Sequence, residues 1–122
     1  MFNILYDKRP ELRAVIKERV VAVQGDLGLE NLGLDPKVKA HLIEELDIII
    51  SSAASINFRE HLHDALKTNY FGAVKILALA HECKKLEVLS HVSTAYVGSN
   101  YPNNSILNEC IQPDLCKDDW EV

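Results

Sequence analysis

The spacing of apolar and polar positions predicts alternating strands and helices along most of the chain. Residues 19–24 are rich in valine and predict a strand. Asp35 followed by Pro36 predicts the start of a helix, because an acidic N-cap and a proline in the first turn both favour one. That helix carries its apolar residues inward, namely Val38, Leu42, Ile43 and Leu46. A weaker helical pattern covers residues 10–17.

Three further segments complete an α/β pattern. The unbroken apolar run "DIIISSAAS" predicts a strand buried on both faces, which is typical of parallel sheets. A long helical stripe follows it, and "VLSHVSTAY" predicts another strand. The stripe consists of Leu62, Ala65, Leu66, Asn69, Tyr70, Ala73, Val74, Leu77 and Ala80. The order strand, helix, strand, helix, strand indicates right-handed crossovers and a parallel sheet.

Small or polar residues follow each predicted strand, in "QGD", "SSAA" and "STAY". Ligands of parallel sheets bind beyond the carboxyl ends of the strands, so this coincidence predicts a binding site. Each polar residue also has a structural interpretation. Asp26 fits a solvated turn, Asn69 fits a boundary residue bonded to water or a loop carbonyl, and Ser93 and Thr94 fit packing and a turn.

The glycine-containing loop after residue 24 does not have the spacing of a phosphate loop. Gly25, Gly28 and Gly33 match neither GxGxxG nor GxxGxxG, and the next helix starts only near Asp35. A Lys-Ser or Lys-Thr pair of the Walker type is also missing from this segment. The sequence therefore favours turn glycines over a phosphate cradle.

Composition narrows the class of protein. The 122 residues fit one small domain, with 48% hydrophobic and 25% charged residues. The net charge of −5 argues against nucleic acid as a partner. Three cysteines without a CxxC pair indicate a reduced, intracellular setting. No apolar stretch in the sequence approaches the ~20 residues that a transmembrane helix needs.

Two kinds of catalytic centre are not indicated. The histidines His61, His63, His81 and His91 lack the spacing of metal ligands, so no metal is expected. The sequence also contains no GxSxG motif, which argues against a serine hydrolase.

Taken in order, "VVAVQGDLGLENLGL", "DIIISSAASINF" and "LKTNYFGAVKILALAHECKKLEVLSHVSTAYV" resemble the fatty acyl-CoA reductases, a branch of the extended short-chain dehydrogenase/reductases. The segments "AASINF" and "STAYV" are the more specific part of the match. The resemblance implies a partial Rossmann-like parallel sheet with flanking helices. It further implies that residues 1–122 are an incomplete NAD(P)-binding domain, an internal segment of a longer reductase.

The resemblance places the cofactor, NADPH, along two loops. Asp26 and Leu27 match the positions that contact the adenine of the cofactor. The segment after the next strand lies along the cofactor and consists of Ser52, Ala53 and Ala54.

The resemblance also implies a substrate side. Asn69 matches the helix asparagine that shapes the site and its water path. Thr94, with Ser93 as the second choice, matches the hydroxyl that holds the substrate carbonyl. The approach of the acyl substrate is implied at Ile56, Asn57 and Phe58.

The chain departs from the family pattern in two motifs. It contains no GxxGxxG, and none of Tyr6, Tyr70, Tyr96 and Tyr101 is followed four residues later by the lysine that lowers the pKa of the proton donor. The segment is thus expected to lack the first strand–helix–strand and the C-terminal part. An edge strand left in this way favours pairing with another chain.

The intact enzyme is expected to reduce long-chain acyl-CoA with NADPH to a fatty alcohol or aldehyde and to release CoA. The isolated chain is expected to be inactive. Its expected location is intracellular, either cytosolic or on the cytosolic face of the peroxisome or endoplasmic reticulum. Alternatives are a nucleotide-sugar epimerase or dehydratase, a carboxylic-acid reductase domain, and a non-catalytic module that donates strands.

Overall fold

A computed structural model describes residues 3–94 and 101–108 of the chain. The chain divides into two units, Met1–Val92 and Ser93–Val122. The helices and strands of the described residues all belong to the first unit. The helices are α1 (Asn3–Lys8), α2 (Leu12–Arg19), α3 (Pro36–Glu45), α4 (Leu62–Ala65) and α5 (Phe71–Glu82), and the strands are β1 (Ile48–Ser51) and β2 (Val88–His91).

Helix α3 begins where the sequence predicts. The Asp35 carboxylate caps it, with Oδ1 accepting hydrogen bonds from the N–H groups of Lys37 at 2.9 Å and Val38 at 3.4 Å. Such a cap stabilises a helix by about 1 kcal/mol, since it satisfies donors that have no partner within the helix. Of the four residues predicted to point inward, Val38, Leu42 and Ile43 are half-buried on α3, and Leu46 is half-buried directly after the helix. The start of the helix is confirmed, whereas no residue of α3 is fully buried.

The two strands form a parallel pair, as the predicted α/β order requires. Ile48 lies opposite Val88, and Ser51 lies opposite His91. Beyond the last pair, the Val92 N–H donates to the Ser51 carbonyl oxygen at 2.8 Å. The carboxyl ends of β1 and β2 therefore lie side by side. The fold class, a partial Rossmann-like arrangement of parallel strands and flanking helices, is confirmed.

The prediction of a strand at residues 19–24 is wrong for the described structure. Arg19 ends helix α2, and Val20 has an extended backbone with φ −103° and ψ 118°. The following residues belong to no sheet among the described residues. Valine-rich sequence favours extended backbone, but a strand also needs a neighbour to complete its hydrogen bonds.

The prediction that the "DIII" strand is buried on both faces is also wrong. Ile49 and Ser51 are half-buried on the side where α5 packs. Ile48 and Ile50 point to the opposite face. They are 57% and 69% exposed because no described element packs on that side.

Residues 62–82 form one long helix, as predicted, but its buried face differs from the predicted stripe. A π-helical segment, Leu66–Tyr70, lies between α4 and α5. The buried positions of α5 are Gly72, Leu79 and Ala80, and only Ala80 belongs to the predicted stripe. The face of α5 that carries Gly72 and Leu79 packs on the loop of residues 25–33. Helix α5 therefore has apolar residues on a second side, away from the predicted stripe.

Candidate functional site

Asp26 organises the loop that follows the extended segment. Its Oδ1 accepts a hydrogen bond from the Gly28 N–H at 2.7 Å. Its own N–H donates to the Leu32 carbonyl oxygen at 2.7 Å, which closes the loop on itself. The Asp26 side chain is nevertheless exposed, so its carboxylate can still reach a ligand. The geometry fits the turn interpretation and leaves the adenine contact of Asp26 as a prediction.

The same loop contains a left-handed turn. Asn31, Leu32 and Gly33 have φ values of 48°, 60° and 59°. Left-handed backbone costs roughly 1–2 kcal/mol per residue with a side chain, and glycine adopts it freely. Leu32 is only 7% exposed, and this burial offsets its strain. Gly33 is therefore a turn glycine, as the spacing predicts.

The loop is attached to helix α5 at two points. The Lys75 Nζ donates to the Leu27 carbonyl oxygen at 3.0 Å. A Cβ on Gly72 would lie 3.0 Å from the Leu27 Cβ, so the helix is bare where Leu27 packs against it. This close approach explains a glycine inside a helix, where it costs up to about 1 kcal/mol relative to alanine. Leu27 is thus fixed by α5.

Asn69 holds the loop that follows β1. Its Nδ2 donates to the Ser55 carbonyl oxygen at 3.1 Å, and its Oδ1 accepts from the Ser55 N–H at 2.8 Å. The side-chain amide pairs with this one residue as a neighbouring strand would. Asn69 lies in the π-helical segment, a feature frequent at functional sites. The sequence allowed Asn69 to be a boundary residue bonded to water or to a loop carbonyl. The hydrogen bond to the Ser55 carbonyl agrees with the second possibility.

The residues implied at the cofactor and the acyl substrate lie in this same loop. Ser52, Ala53 and Ala54 directly follow β1, and all three are exposed. Ile56 and Phe58 are 85% and 84% exposed. Asn57 shapes the loop between them, since its Oδ1 accepts from the Arg59 N–H at 3.1 Å.

Ser93 and Thr94 belong to the second unit of the chain. They follow Val92 directly in sequence, and both are exposed. Tyr96, in the same predicted strand, lies outside the described residues. The proposed roles of the two hydroxyls remain predictions.

Sequence reasoning missed one pair at the carboxyl ends of the strands. The His91 Nδ1 lies 3.2 Å from the Ser51 Oγ. Together with Asn69, the two residues are the polar part of the lining of an apolar groove of about 410 Å³. The groove is otherwise lined by Tyr70, Ala73, Val74, Ile76, Leu77 and Leu89. The pair could have been found only from the register that places Ser51 opposite His91.

Three observations bear on other kinds of site. No group of three metal-ligating side chains occurs among residues 3–94 and 101–108. Within the same residues, none of the helices is both long and apolar enough to cross a bilayer. Partial burial, followed by the negative charge of Glu82, raises the pKa of the Cys83 thiol, which disfavours the reactive thiolate.

Residues 2–120 match an NAD-binding family model described as male sterility protein. The chain belongs to this family. Over 105 residues it is 40% identical to fatty acyl-CoA reductase 1 of Arabidopsis thaliana. The aligned region covers 84% of this chain and 21% of that protein. Over 113 residues it is 34% identical to fatty acyl-CoA reductase 1 of Homo sapiens, covering 93% of this chain and 21% of that protein.

A third relative extends the comparison to nearly the whole chain. Fatty acyl-CoA reductase 8 of Arabidopsis thaliana is 33% identical over 121 residues, or 97% of this chain and 24% of that protein. The chain therefore spans about a fifth to a quarter of the length of these relatives. The family resemblance read from the motifs is confirmed, and the match agrees with a segment of a longer reductase.

Proposed function

We propose that this chain is the internal part of an NADPH-dependent reductase of long-chain acyl-CoA. When bound along Asp26, Leu27 and Ser52–Ala54, NADPH would supply the hydride that reduces the thioester to an aldehyde with release of CoA, and a second NADPH with a proton would give the fatty alcohol. Family membership supports this reaction. The isolated chain is inactive in this proposal, because its sequence contains neither GxxGxxG nor Tyr-x-x-x-Lys.

One observation carries the cofactor side of the proposal. Both loops implied at the cofactor are fastened to the same helix within two turns. Asn69 holds Ser55, and Lys75 holds Leu27. The helix thereby fixes the distance between the two loops. One loop carries Asp26 and Leu27, and the other follows β1. In the proposal, the first loop receives the adenine, and Ser52, Ala53 and Ala54 lie along the rest of the cofactor.

On the substrate side, a hydroxyl holds the thioester carbonyl. Thr94, or Ser93 in its place, donates a hydrogen bond to the carbonyl oxygen and stabilises the negative charge that hydride addition creates there. The acyl substrate approaches past Ile56, Asn57 and Phe58, and the two exposed apolar side chains suit an aliphatic chain. Asn69 acts as a positioning residue in this scheme, since the oxygen and the nitrogen of its side-chain amide are both hydrogen-bonded to Ser55.

The proposal extends to location and assembly. We propose an intracellular location, cytosolic or on the cytosolic face of the peroxisome or endoplasmic reticulum. We also propose that the chain pairs with another polypeptide through its exposed strands. The unpaired outer edge of β1 among the described residues supports this pairing.

A chimera tests the reaction. This chain replaces the matching region of the Arabidopsis fatty acyl-CoA reductase 1, and NADPH oxidation is followed with palmitoyl-CoA as substrate. We expect the chimera to turn over the substrate with NADPH and much more slowly with NADH, and we expect no turnover by the isolated chain. A chimera that folds and binds NADPH but does not consume acyl-CoA would contradict the assignment of the reaction. Turnover by the isolated chain would contradict the assignment as a segment.

A further inference from the structure

A lysine side chain extends to the loop that carries Asp26. Lys67 belongs to the π-helical segment before α5, and its side chain lies against Gly28. A Cβ on Gly28 would lie 3.1 Å from the Lys67 Cε and 3.6 Å from its Nζ. The same point is 3.1 Å from the Asp26 Oδ1. The ammonium and the carboxylate therefore border the same space beside Gly28.

Gly28 is the residue that leaves room for this arrangement. Its φ lies outside the left-handed region, unlike that of Gly33, so its backbone gives no reason for a glycine. A side chain at this position would approach both Lys67 and Asp26 more closely than the roughly 3.5–4.0 Å of ordinary carbon contacts. The missing side chain thus allows a cation to lie beside the carboxylate.

Two lysines of the same helical stretch reach this loop, and their ammonium groups are used differently. The Lys75 Nζ is bonded to the Leu27 carbonyl oxygen and supports the loop. Lys67 is exposed, and its ammonium forms no hydrogen bond or ion pair among the residues that the structure describes. Asp26 is exposed as well. The loop therefore presents a hydrogen-bond donor and an acceptor that are both accessible to a ligand.

The chemistry of this pair selects a ligand. A carboxylate only accepts hydrogen bonds, and an ammonium only donates them. The Watson–Crick edge of adenine matches the pair, because its N6 amine donates and the adjacent N1 accepts. Hypoxanthine has the reverse order, with an accepting O6 and a donating N1–H. A phosphate group at the same place would be repelled by the Asp26 carboxylate.

We propose that Lys67 is a cofactor-binding residue that recognises the adenine base together with Asp26. The Asp26 carboxylate accepts a hydrogen bond from N6, and the Lys67 ammonium donates one to N1. The pair thereby selects the adenine dinucleotide over its hypoxanthine analogue. This role rests on the proposed function, since it takes the loop of Asp26 as the adenine site. It adds a second residue to that site and names the base that the pair excludes.

Nucleotide binding to the chimera with the Arabidopsis reductase tests this role without acyl-CoA. The fluorescence change of the reduced nicotinamide gives the dissociation constants of NADPH and of reduced nicotinamide hypoxanthine dinucleotide phosphate. Lys67→Met retains a side chain of similar length up to Cε and removes the ammonium. We expect this variant to bind NADPH about tenfold more weakly, as the loss of a charge-assisted hydrogen bond implies. Its affinity for the hypoxanthine analogue should not fall, because the ammonium has no acceptor at the N1–H of that base.

Lys85→Met is the matched control, because it removes the same charge from a position beyond the other end of α5. Lys85 is exposed and forms an ion pair with Glu45 at 3.0 Å. An exposed pair of this kind contributes little to stability, so both dissociation constants should stay within twofold. Hydrogen–deuterium exchange of residues 25–33 without nucleotide should be the same in Lys67→Met and in the unchanged chimera.

Three results would overturn the proposal. Unchanged NADPH affinity in Lys67→Met would remove Lys67 from the site. Equal weakening of both nucleotides would show that the ammonium does not recognise the base. Faster exchange of residues 25–33 without nucleotide would make Lys67 a support of the loop. The proposed function fails separately, since a chimera that binds NADPH as expected but does not reduce palmitoyl-CoA would leave the role of Lys67 standing.

Discussion

The side chain of Asn69 offers the sharpest test of the geometry described above. Asn69→Ala removes both hydrogen bonds to Ser55. A protein hydrogen bond contributes about 0.5–1.5 kcal/mol net, so two bonds correspond to roughly 1–3 kcal/mol. Asn69 is exposed and Ser55 is half-buried, and both hydrogen bonds between them lie at the surface, so water can replace the lost partners. We therefore expect the low end, about 1 kcal/mol, which is roughly a fivefold change in the opening equilibrium of the loop.

Hydrogen–deuterium exchange read by mass spectrometry measures this opening directly. The informative peptide covers residues 52–58, and its exchange should become about fivefold faster in Asn69→Ala, as about 1 kcal/mol requires. Asn69→Asp refines the test, because its carboxylate still accepts from the Ser55 N–H but can no longer donate to the Ser55 carbonyl. We expect the exchange rate of the 52–58 peptide in Asn69→Asp to be closer to that of Asn69→Ala than to that of the wild type. The reason is that aspartate also places a negative charge against the Ser55 carbonyl oxygen.

Lys67→Ala is the matched control, because it truncates an exposed side chain in the same π-helical segment. The Lys67 side chain lies near Gly28, in the loop that carries Asp26. Exchange of the 52–58 peptide should therefore be unchanged in this variant. Equal exchange in wild type and Asn69→Ala, or equal acceleration in both variants, would refute the role given to Asn69.

Three other predictions follow from the same structure. Gly33→Ala should lower the free energy of unfolding by about 1–2 kcal/mol in urea titration, because the position has φ 59° and an added Cβ would lie 3.2 Å from the Leu29 Cδ1. The raised pKa of Cys83 should make its alkylation at pH 8–9 slower in the folded chain than in urea, measured in a Cys110→Ser/Cys116→Ser background; equal rates would contradict the shift. Because folding retains the thiol proton to higher pH, any stability from this group is complete below the ordinary thiol pKa and is lost as pH rises through the folded value. Thr94→Ala in the active chimera should reduce turnover by on the order of a hundredfold, and unchanged turnover would transfer the role to Ser93 or remove it.

Features that are determined by residues close together in the sequence were predictable. Asp35 and Pro36 mark the start of α3 correctly because capping is decided within one turn of chain. The β-branched run at Ile48–Ser51 likewise forms a strand. Residues 20–24 include three valines and are also rich in β-branched residues, yet they form no ladder among the described residues. Composition favours extended backbone, whereas the hydrogen bonds of a strand come from residues distant in sequence.

The candidate site was predictable to a similar extent. Asn69 stands out as a polar residue in an apolar stripe, and the structure shows it engaged with a loop. Its partner, Ser55, is fourteen residues away, and no periodic pattern connects the two. Lys75 carries no signal at all, since a lysine on a helix is most often exposed. Gly72 could have indicated a close approach, because glycine inside a helix is costly without one.

The spacing of these residues explains how a small sheet can still present an organised pair of loops. Asn69, Gly72 and Lys75 are three residues apart, so they lie on successive turns of one helix. The first contacts the loop after β1, and the other two contact the loop that carries Asp26. The relative position of the two loops is thus set by the helix, independently of how many strands the sheet contains. Restoration of activity in the chimera should then require no change at these three helix positions.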